Sequence, residues 1–441
     1  MPLVQQLAEV DGVLVESVSG SELESARAPH GELPRSVERL LLFALAALIL
    51  ILAVDSSRHA VDFPVYHRIA TQIWQGHYEL YPEAVYNGGV APAHGFRYAP
   101  AVAFLFVPLA WLSLEHAALL FFGLKIAALI YVGTVATRQA GLQGRSRAVL
   151  LLALVCVGGY VGEEFRYGNV HLFIVALMVF AFDAVASGAV VAPAIAVGVA
   201  IATKLTPIVL LGYFLARRRF AVCLATIGVL AVLALLPAAV VGIGANNRLL
   251  EGFERYAVEK IDEGDNYALR GVLIRYLAPV RQDTSPPQVA ASPTRTVSAI
   301  WLAAVLVGGL IVAVLLRHAP SGPVPAILDL SIVLTAILLA SPHTQRRYFI
   351  TLYVPVVVLI ALVARTRDET DRRLLIFGVA VTAATSTVLP LVFAGRRLAL
   401  WYEAGSPYFF GTFALLVTLV VLRVRQQQKP GAELSATLTH D

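Results

Sequence analysis

The chain has 441 residues, of which 58% are hydrophobic and 14% are charged, and its mean hydropathy is +0.75. Soluble domains are about 45–50% apolar and about 25% charged, so this composition excludes a soluble enzyme and indicates a polytopic membrane protein. The net charge of +5 does not indicate a nucleic-acid partner, because most basic residues stand in short segments between apolar runs. The two cysteines both lie in apolar runs, which excludes a disulfide framework.

Residues 1–38 are polar and acidic, and they lack a basic start, a short apolar core and a small-residue cleavage site. A secretory signal peptide has all three features, so we expect a flexible cytoplasmic tail here. Residues 39–425 carry the apolar segments and are expected to form one transmembrane domain. Residues 426–441 are expected to form a second, disordered cytoplasmic tail.

Twelve apolar segments are candidates for membrane-spanning helices, although several fall short of the about 20 residues that a span needs. They are residues 40–54, 117–137, 148–161, 170–186, 191–202, 205–215, 220–241, 297–316, 326–339, 348–363, 374–392 and 408–422. The sequence therefore predicts an all-α polytopic membrane fold with about 12 transmembrane helices. The two segments on either side of Lys204 are too short for ideal spans, which predicts broken helices that meet inside the protein.

Arginines that flank the apolar segments determine the predicted orientation. The positive-inside rule requires these arginines to lie in the cytoplasm. That requirement is met for Arg138, Arg365, Arg423 and the run 217–219 only if residues 98–114 do not cross the membrane. Two prolines interrupt that stretch, which is consistent with a segment that does not cross. We therefore predict a multi-pass plasma-membrane protein with both termini in the cytoplasm and with outer loops at 55–116 and 242–296.

The first outer loop carries Asp62 among aromatic residues, followed by Tyr66 and Tyr81 and then by Arg97 and Tyr98. An acid in an amphipathic helix on the membrane surface can take a proton from a sugar hydroxyl while aromatic rings stack against the sugar. Asp62 also fits the N-cap of the helix that follows it, since aspartate is a favoured N-cap residue. The residues alone leave both interpretations open.

Residues 162–169 are predicted to form an outer turn that leads into the next span through Asn169 and His171. Polar side chains at membrane depth are costly unless they face a cavity, so both are candidates for substrate binding. A hydrated turn with a satisfied histidine is the alternative. Glu163, Glu164 and His171 fit no spacing of metal ligands, and we predict neither a metal nor another cofactor.

Four further basic residues are predicted to lie outside: Lys204, His343, Arg346 and Arg347. Basic residues on the outer side break the positive-inside rule and require a negative partner, for which a phosphate is the natural candidate. Snorkelling of the lysine and pairing of the others with anionic lipid headgroups are the alternatives.

The large outer loop contributes two more candidates, Asn266 and Arg270. Arg270 either reaches the phosphate or balances the acidic residues that precede it in the loop. Asn266 is a candidate for substrate binding.

In their order along one polytopic chain, five groups of residues resemble the polyprenyl-phosphate-mannose-dependent mannosyltransferases of glycosyltransferase family 87, which have the GT-C fold. These groups are Asp62-Phe63-Pro64-Val65-Tyr66, Phe96-Arg97-Tyr98-Ala99-Pro100, Lys204-Leu205-Thr206-Pro207, Asn266-Tyr267-Ala268-Leu269-Arg270-Gly271 and Ser341-Pro342-His343. One departure stands at the fourth span, where the family has Gly-Gln and then Asn and this chain has Gly168-Asn169-Val170-His171.

The resemblance implies that residues 39–425 form a GT-C catalytic domain and that Asp62 is the catalytic base. It implies a polyprenyl-phosphate sugar as donor, a lipid or glycan acceptor, an active site on the extracytoplasmic face and no metal requirement. Membrane lipids are then partners and nucleic acid is not. A polytopic secondary transporter or flippase is the rival interpretation, but transporters tend to have inverted repeats, and this sequence shows none.

Overall fold

The computed structural model describes residues 47, 51, 54–81, 95–142, 146–258, 265–277, 280–281, 288–289, 295–317, 322–392 and 402–428. All of them belong to one compact unit, Leu45–Asp441. The predicted tail at 1–38 and most of the predicted span at 40–54 lie outside the described residues. Of the second predicted tail, the first three residues form the end of a helix, Pro407–Gln428.

The first half of the described chain is helical throughout. Its elements are α1 (Phe63–Trp74), α2 (Pro100–Leu105), a 3₁₀ helix (Val107–Trp111), α3 (Leu114–Gln139), α4 (Ser146–Cys156), α5 (Gly158–Tyr167), α6 (His171–Ala186), α7 (Val191–Thr203), a 3₁₀ turn (Thr206–Ile208), α8 (Val209–Ala216), α9 (Phe220–Leu235) and α10 (Ala238–Val241). Helix α1 is amphipathic as predicted, because one face is buried through Phe63, Tyr66, Ile69 and Ile73 while Trp74 is exposed.

The second half continues with helices and one minimal strand pair. Its elements are α11 (Ile243–Val258), α12 (Leu269–Leu277), β1 (Val280–Arg281) antiparallel to β2 (Gln288–Val289), α13 (Arg295–Leu316), α14 (Pro323–Ala340), a 3₁₀ helix (Arg346–Leu352), α15 (Tyr353–Val363), α16 (Glu369–Ala383), a π-helical turn (Ala384–Val388), α17 (Leu389–Val392) and α18 (Pro407–Gln428). The predicted all-α membrane architecture is confirmed.

Six described helices are long and apolar enough to cross a membrane, and a bent pair makes a seventh candidate. They are Leu114–Gln139, Phe220–Val241, Arg295–Leu316, Pro323–Ala340, Arg346–Val363 and Pro407–Gln428, with Arg147–Cys156 and Gly158–Tyr167 as the pair. The other predicted segments in the described part are shorter helices, so the predicted number of about 12 full-length spans remains a prediction. Residues 98–114 form only short helices, in line with a segment that does not span.

The prediction of an outer turn at 162–169 is wrong for most of its length. A bend of 76° at Val157 separates α4 from α5, and α5 continues as helix to Tyr167 before Gly168 ends it in a left-handed conformation. The sequence had suggested a turn because this segment joins two predicted spans, 148–161 and 170–186. Within it, Glu164 is buried inside the protein.

The helix break at Lys204 occurs as predicted. Helix α7 ends at Thr203, Lys204 is extended with φ −153° and ψ 132°, and the chain resumes with the short turn Thr206–Ile208. Pro207 lies at the start of that turn, where its missing N–H is tolerated. The break therefore places one lysine between two apolar helices.

A buried carboxylate joins residues of three helical segments. Asp329 of α14 is fully buried and pairs with Arg217, which follows α8, and with Arg423 of α18 through an Nε–Oδ1 distance of 2.7 Å. Two guanidinium groups share one carboxylate, so neither arginine is left without a counter-charge. This explains why two residues of the arginine-rich segments are buried.

Replacing Asp329 with Asn is expected to lower the free energy of unfolding by roughly 3–5 kcal/mol, because it leaves two buried guanidinium groups without a counter-charge. The measurement is an SDS titration of the purified protein in detergent. Glu369→Gln is the matched control, since it breaks only exposed pairs with Arg372 and Arg373 and should change stability by less than about 1 kcal/mol. Equal stability of the two variants would contradict the assigned role.

Candidate active site

A cavity of about 790 Å³ opens where the first loop, the break after α7 and the turn before α15 meet. Its polar lining combines carboxylates, basic groups and phenols, while its apolar lining comes mainly from α7, α9 and α11. The polar lining consists of Asp62, Tyr66, Arg97, Tyr98, Tyr167, Asn169, Lys204, Glu254, Asp265, His343, Gln345, Arg347 and Tyr348. Most candidates named from the sequence therefore share one cavity.

Asp62 stands at the N-cap position of α1, but its side chain makes no capping hydrogen bond. Its Oδ2 accepts a hydrogen bond of 2.8 Å from the Asn169 amide and lies 3.8 Å from Nε of Arg347. Its backbone N–H donates to the carbonyl of Tyr167 at 2.8 Å. The capping interpretation is therefore wrong, and the carboxylate faces the cavity.

Two tyrosines line the cavity beside Asp62, and a third supports one of them. The hydroxyls of Tyr66 and Tyr98 are 2.8 Å apart, and the hydroxyl of Tyr81 donates to the Tyr98 carbonyl at 2.6 Å. Burial raises the pKa of both Tyr66 and Tyr98, and the Asp62 carboxylate raises it further. Both phenols are therefore protonated at neutral pH, and one of the two hydroxyls donates its hydrogen bond to the other. Tyr81 supports Tyr98 from behind and does not line the cavity.

A buried ion pair holds the turn that presents Asn169. Lys125 and Glu164 are both fully buried, and Nζ of Lys125 donates to Oε1 of Glu164 at 3.0 Å and to the backbone carbonyls of Glu164 and Asn169 at 2.8 Å each. Oε1 of Glu164 also accepts from the N–H of Leu172 at 3.1 Å. One lysine in the middle of α3 thus joins the end of α5 to the start of α6.

Gly168 permits the close approach of this turn to α1. Its φ is +62°, and a Cβ there would lie 2.9 Å from Cβ of Ala60 and 3.1 Å from Cβ of Phe63. A glycine suits both the left-handed conformation and the lack of space. The neighbouring Asn169 is consequently brought within hydrogen-bond distance of Asp62.

Lys204 and Arg347 meet at the ring of Tyr348. Nζ of Lys204 lies over that ring, and the guanidinium carbon of Arg347 is 5.5 Å from its centre and 4.2 Å from the centre of the Tyr167 ring. Within the part of the chain that the structure describes, Lys204 has no carboxylate partner within 4.0 Å. The two cations therefore converge on one part of the cavity.

The turn at residues 341–345 is attached by Asn266 to the segment that leads into α12. The Asn266 side chain accepts from the Thr344 N–H at 3.1 Å and donates to the Pro342 carbonyl at 2.7 Å. This buried asparagine does not line the cavity, so the structure gives it a supporting position. Between its two ends, the turn presents His343 to the cavity, where Nε2 lies 4.0 Å from Oδ1 of Asp265.

Three other predicted site residues also lie away from the cavity. Arg270 donates to Ser298 at 3.3 Å and lies against the Trp301 ring. Arg346 lies 3.9 Å from Glu163 and against the ring of Tyr408. His171 hydrogen-bonds Thr351 at 2.9 Å and packs against Tyr348 with the two rings tilted by 31°, so it supports that ring.

The sequence interpretation missed the pairing of Glu164 with Lys125. It also missed five residues that line the cavity: Tyr167, Glu254, Asp265, Gln345 and Tyr348. The sequence did contain a signal for the ion pair, because a lysine in the middle of a span needs a partner at membrane depth. The described residues contain no group of three or more His, Cys, Asp or Glu side chains arranged to hold a metal ion.

The sequence model of glycosyltransferase family 87 matches residues 96–342, which is more than half of the chain. No curated protein matches it in sequence. Among solved structures, it is similar to the crystal structure of ArnT from Cupriavidus metallidurans bound to undecaprenyl phosphate, with a TM-score of 0.43 and 14% identity over 88% of this chain and 78% of the ArnT chain. Asp62 lies outside the residues that the family model covers.

Replacing Lys125 with Met is expected to lower the free energy of unfolding by roughly 3–5 kcal/mol, since it leaves the Glu164 carboxylate buried without its counter-charge. Adding Glu164→Gln should recover more than half of that loss, because the amide oxygen still accepts from the Leu172 N–H and no charge is stranded. SDS titration of the wild type, both single variants and the double variant gives the coupling free energy. Additive effects of the two substitutions would contradict the ion pair.

Proposed function

The chain belongs to glycosyltransferase family 87, and on that premise we propose that it transfers a hexose, most simply mannose, from a polyprenyl-phosphate carrier to a lipid or glycan acceptor. The observation that carries the proposal is the carboxylate of Asp62 in a cavity that also holds converging cations. A carboxylate supplies the base, and the cations supply the site for a phosphate leaving group. The acceptor enters as the hydroxyl that Asp62 deprotonates.

The proposed reaction is a single displacement. Asp62 takes the proton of the acceptor hydroxyl, and the acceptor oxygen forms a bond to the anomeric carbon. The bond between that carbon and the phosphate oxygen breaks, and polyprenyl phosphate leaves with the electron pair. With one displacement the configuration inverts, so a β-linked donor gives an α-linked product, which makes the enzyme an α-mannosyltransferase when the sugar is β-linked mannose.

Asn169 and Arg347 hold the base in place. The amide of Asn169 occupies Oδ2 of Asp62 at 2.8 Å, and Arg347 approaches the same oxygen at 3.8 Å. Oδ1 is thereby the oxygen left to receive the proton. A positioned base of this kind contributes about 10²–10⁴-fold to a rate.

Lys204, Arg347 and His343 are the proposed phosphate-binding groups. Fixed cations that face a developing negative charge stabilise it without reorganising, and this is commonly the largest single contribution to catalysis. The assignment is strongest for Lys204, because no carboxylate among the described residues lies within 4.0 Å of its ammonium group. A donor phosphate provides the missing counter-charge.

We place the site on the extracytoplasmic face of the plasma membrane, with both termini in the cytoplasm. Helix α3 has 26 residues and is about 39 Å long. Ser113, next to the first loop, caps its start, whereas Arg138 near its end pairs with Asp183 at 2.7 Å. The positive-inside rule assigns the arginine end to the cytoplasm, which leaves the first loop and Asp62 outside.

Asp62→Asn is expected to lower kcat by roughly 10²–10⁴-fold with little change in the KM for the donor, since the amide retains the shape but cannot accept the proton. The assay follows release of polyprenyl phosphate and transfer of labelled hexose in detergent or in vesicles. Asp55→Asn is the matched control, because that exposed aspartate contacts only His59 among the described residues and should keep full activity. A folded Asp62→Asn protein with near-normal transfer would exclude this base.

Lys204→Gln is expected to lower kcat/KM for the donor by roughly 10²–10³-fold, because it removes a cation from the departing phosphate. The comparison donor is a hexose with a neutral leaving group, for which the lysine should matter little. Rates with both donors, measured with both proteins, give the test. An equal loss with the charged and the neutral leaving group would show that Lys204 acts structurally.

A further inference from the structure

Two acceptor atoms on the wall of the cavity lack hydrogen-bond partners. Oε1 of Gln345 and Oδ1 of Asp265 are both buried atoms with no hydrogen bond, and both residues line the cavity. Gln345 is only 5% exposed, and its Nε2 donates to Oδ2 of Asp265 at 2.6 Å, whereas the Asp265 side chain is 47% exposed and has Nε2 of His343 4.0 Å from its Oδ1. The two side chains are thus fixed against each other, and each has one oxygen without a donor.

Buried acceptors without partners are rare in native proteins and cost roughly 1–3 kcal/mol each. Where they occur in the wall of a functional cavity, the missing donors are supplied by the ligand or by ordered water. Two adjacent acceptors with fixed geometry are complementary to a pair of neighbouring donors. The remaining question is which donor-bearing group enters this cavity.

The chemistry of the two oxygens excludes two parts of a lipid-linked sugar. A phosphate offers no donor, and the Asp265 carboxylate repels it. A polyprenyl chain also has no donor and would leave both acceptors unsatisfied. A pyranose ring has several neighbouring hydroxyls, and each hydroxyl can donate.

The same short turn directs this pair and Arg347 to different partners, and it also carries His343, whose Nε2 lies 4.0 Å from Oδ1 of Asp265. Gln345 contacts Asp265, whereas Arg347, two residues later, contacts Asp62. The turn is held by Asn266, immediately after Asp265, and by the hydrogen bond of 2.7 Å from the Tyr267 N–H to the Thr344 carbonyl. Groups held in this way are positioned before the ligand arrives, which lowers the entropic cost of binding.

We propose that Asp265 and Gln345 form a subsite that recognises neighbouring hydroxyls of a pyranose ring and thereby selects the sugar. This inference rests on the proposed function in one respect, that a sugar is a substrate of the cavity. The subsite accepts donor protons from the ring and does not take part in bond making. The ring belongs either to the donor hexose or to a glycan acceptor, and the experiment separates the two.

The experiment measures both binding and transfer. Saturation-transfer NMR detects binding of a short-chain polyprenyl-phosphate hexose and, separately, of an alkyl hexoside to the purified protein. The proteins are the wild type, Asp265→Asn, Gln345→Met and the control Glu115→Gln, which alters an exposed glutamate of α3 away from the cavity. Mono-deoxy analogues of both ligands, tested on the wild type, give a result that does not depend on the folding of any variant.

Loss of a hydrogen bond to a charged group corresponds to roughly a 10- to 100-fold weaker interaction. We expect a loss of this size for Asp265→Asn and for one deoxy analogue, and the variant should no longer distinguish that analogue from its parent. A loss with the donor ligand assigns the subsite to the donor sugar, and a loss with the alkyl hexoside assigns it to the acceptor. Either outcome supports the proposal.

Unchanged binding and unchanged KM values in both variants, or equal binding of every deoxy analogue by the wild type, would overturn the subsite and leave water as the partner of the two oxygens. A different result would contradict the proposed function alone. If the wild-type protein binds the hexosides through Asp265 but transfers no sugar, the subsite exists and the proposed reaction does not occur. Glu115→Gln should match the wild type in every arm.

Discussion

The ion pair between Lys125 and Glu164 is the interaction on which the rest of the site depends. It is fully buried, and the lysine satisfies two backbone carbonyls in addition to the carboxylate. A charge at this depth is stable only with such partners, so helix α3 and the end of α5 must lie together. Once they do, Asn169 has one position, and that position is next to Asp62. The geometry of the proposed base therefore follows from a contact that never touches the cavity.

A second constraint arises from the short segment 343–348, which lies between α14 and α15. Successive residues of this segment point to different parts of the cavity: Gln345 to Asp265, Arg347 to Asp62 and Tyr348 to Lys204. Because these residues share one backbone, a displacement of the turn would disturb all three contacts together. The asparagine at 266 prevents this by bonding both flanks of the turn.

The sequence predicted the membrane class, the break at Lys204 and the grouping of Asp62, Tyr66, Tyr98 and Asn169, because these depend on hydropathy, charge and the family resemblance. It did not predict α5 as a helix, since residues 162–169 join two predicted spans. It also assigned Arg270 and Arg346 to the phosphate site on charge alone. The sequence shows that a residue is charged but not which way its side chain points. Both side chains contact aromatic rings away from the cavity. The sequence pattern does not reveal contacts between residues that are far apart along the chain.

The cluster around Asp62 draws its members from three distant parts of the chain: Asp62 itself, Asn169, which is 107 positions later, and Arg347. Ribosomes make the chain from the N-terminus, so the aspartate enters the membrane long before the arginine exists. A nascent chain with its first helices inserted therefore has the acid but neither a complete cavity nor its cations. Under the proposed mechanism, the site that holds both the base and the leaving group is therefore complete only when nearly four-fifths of the polypeptide has been synthesised.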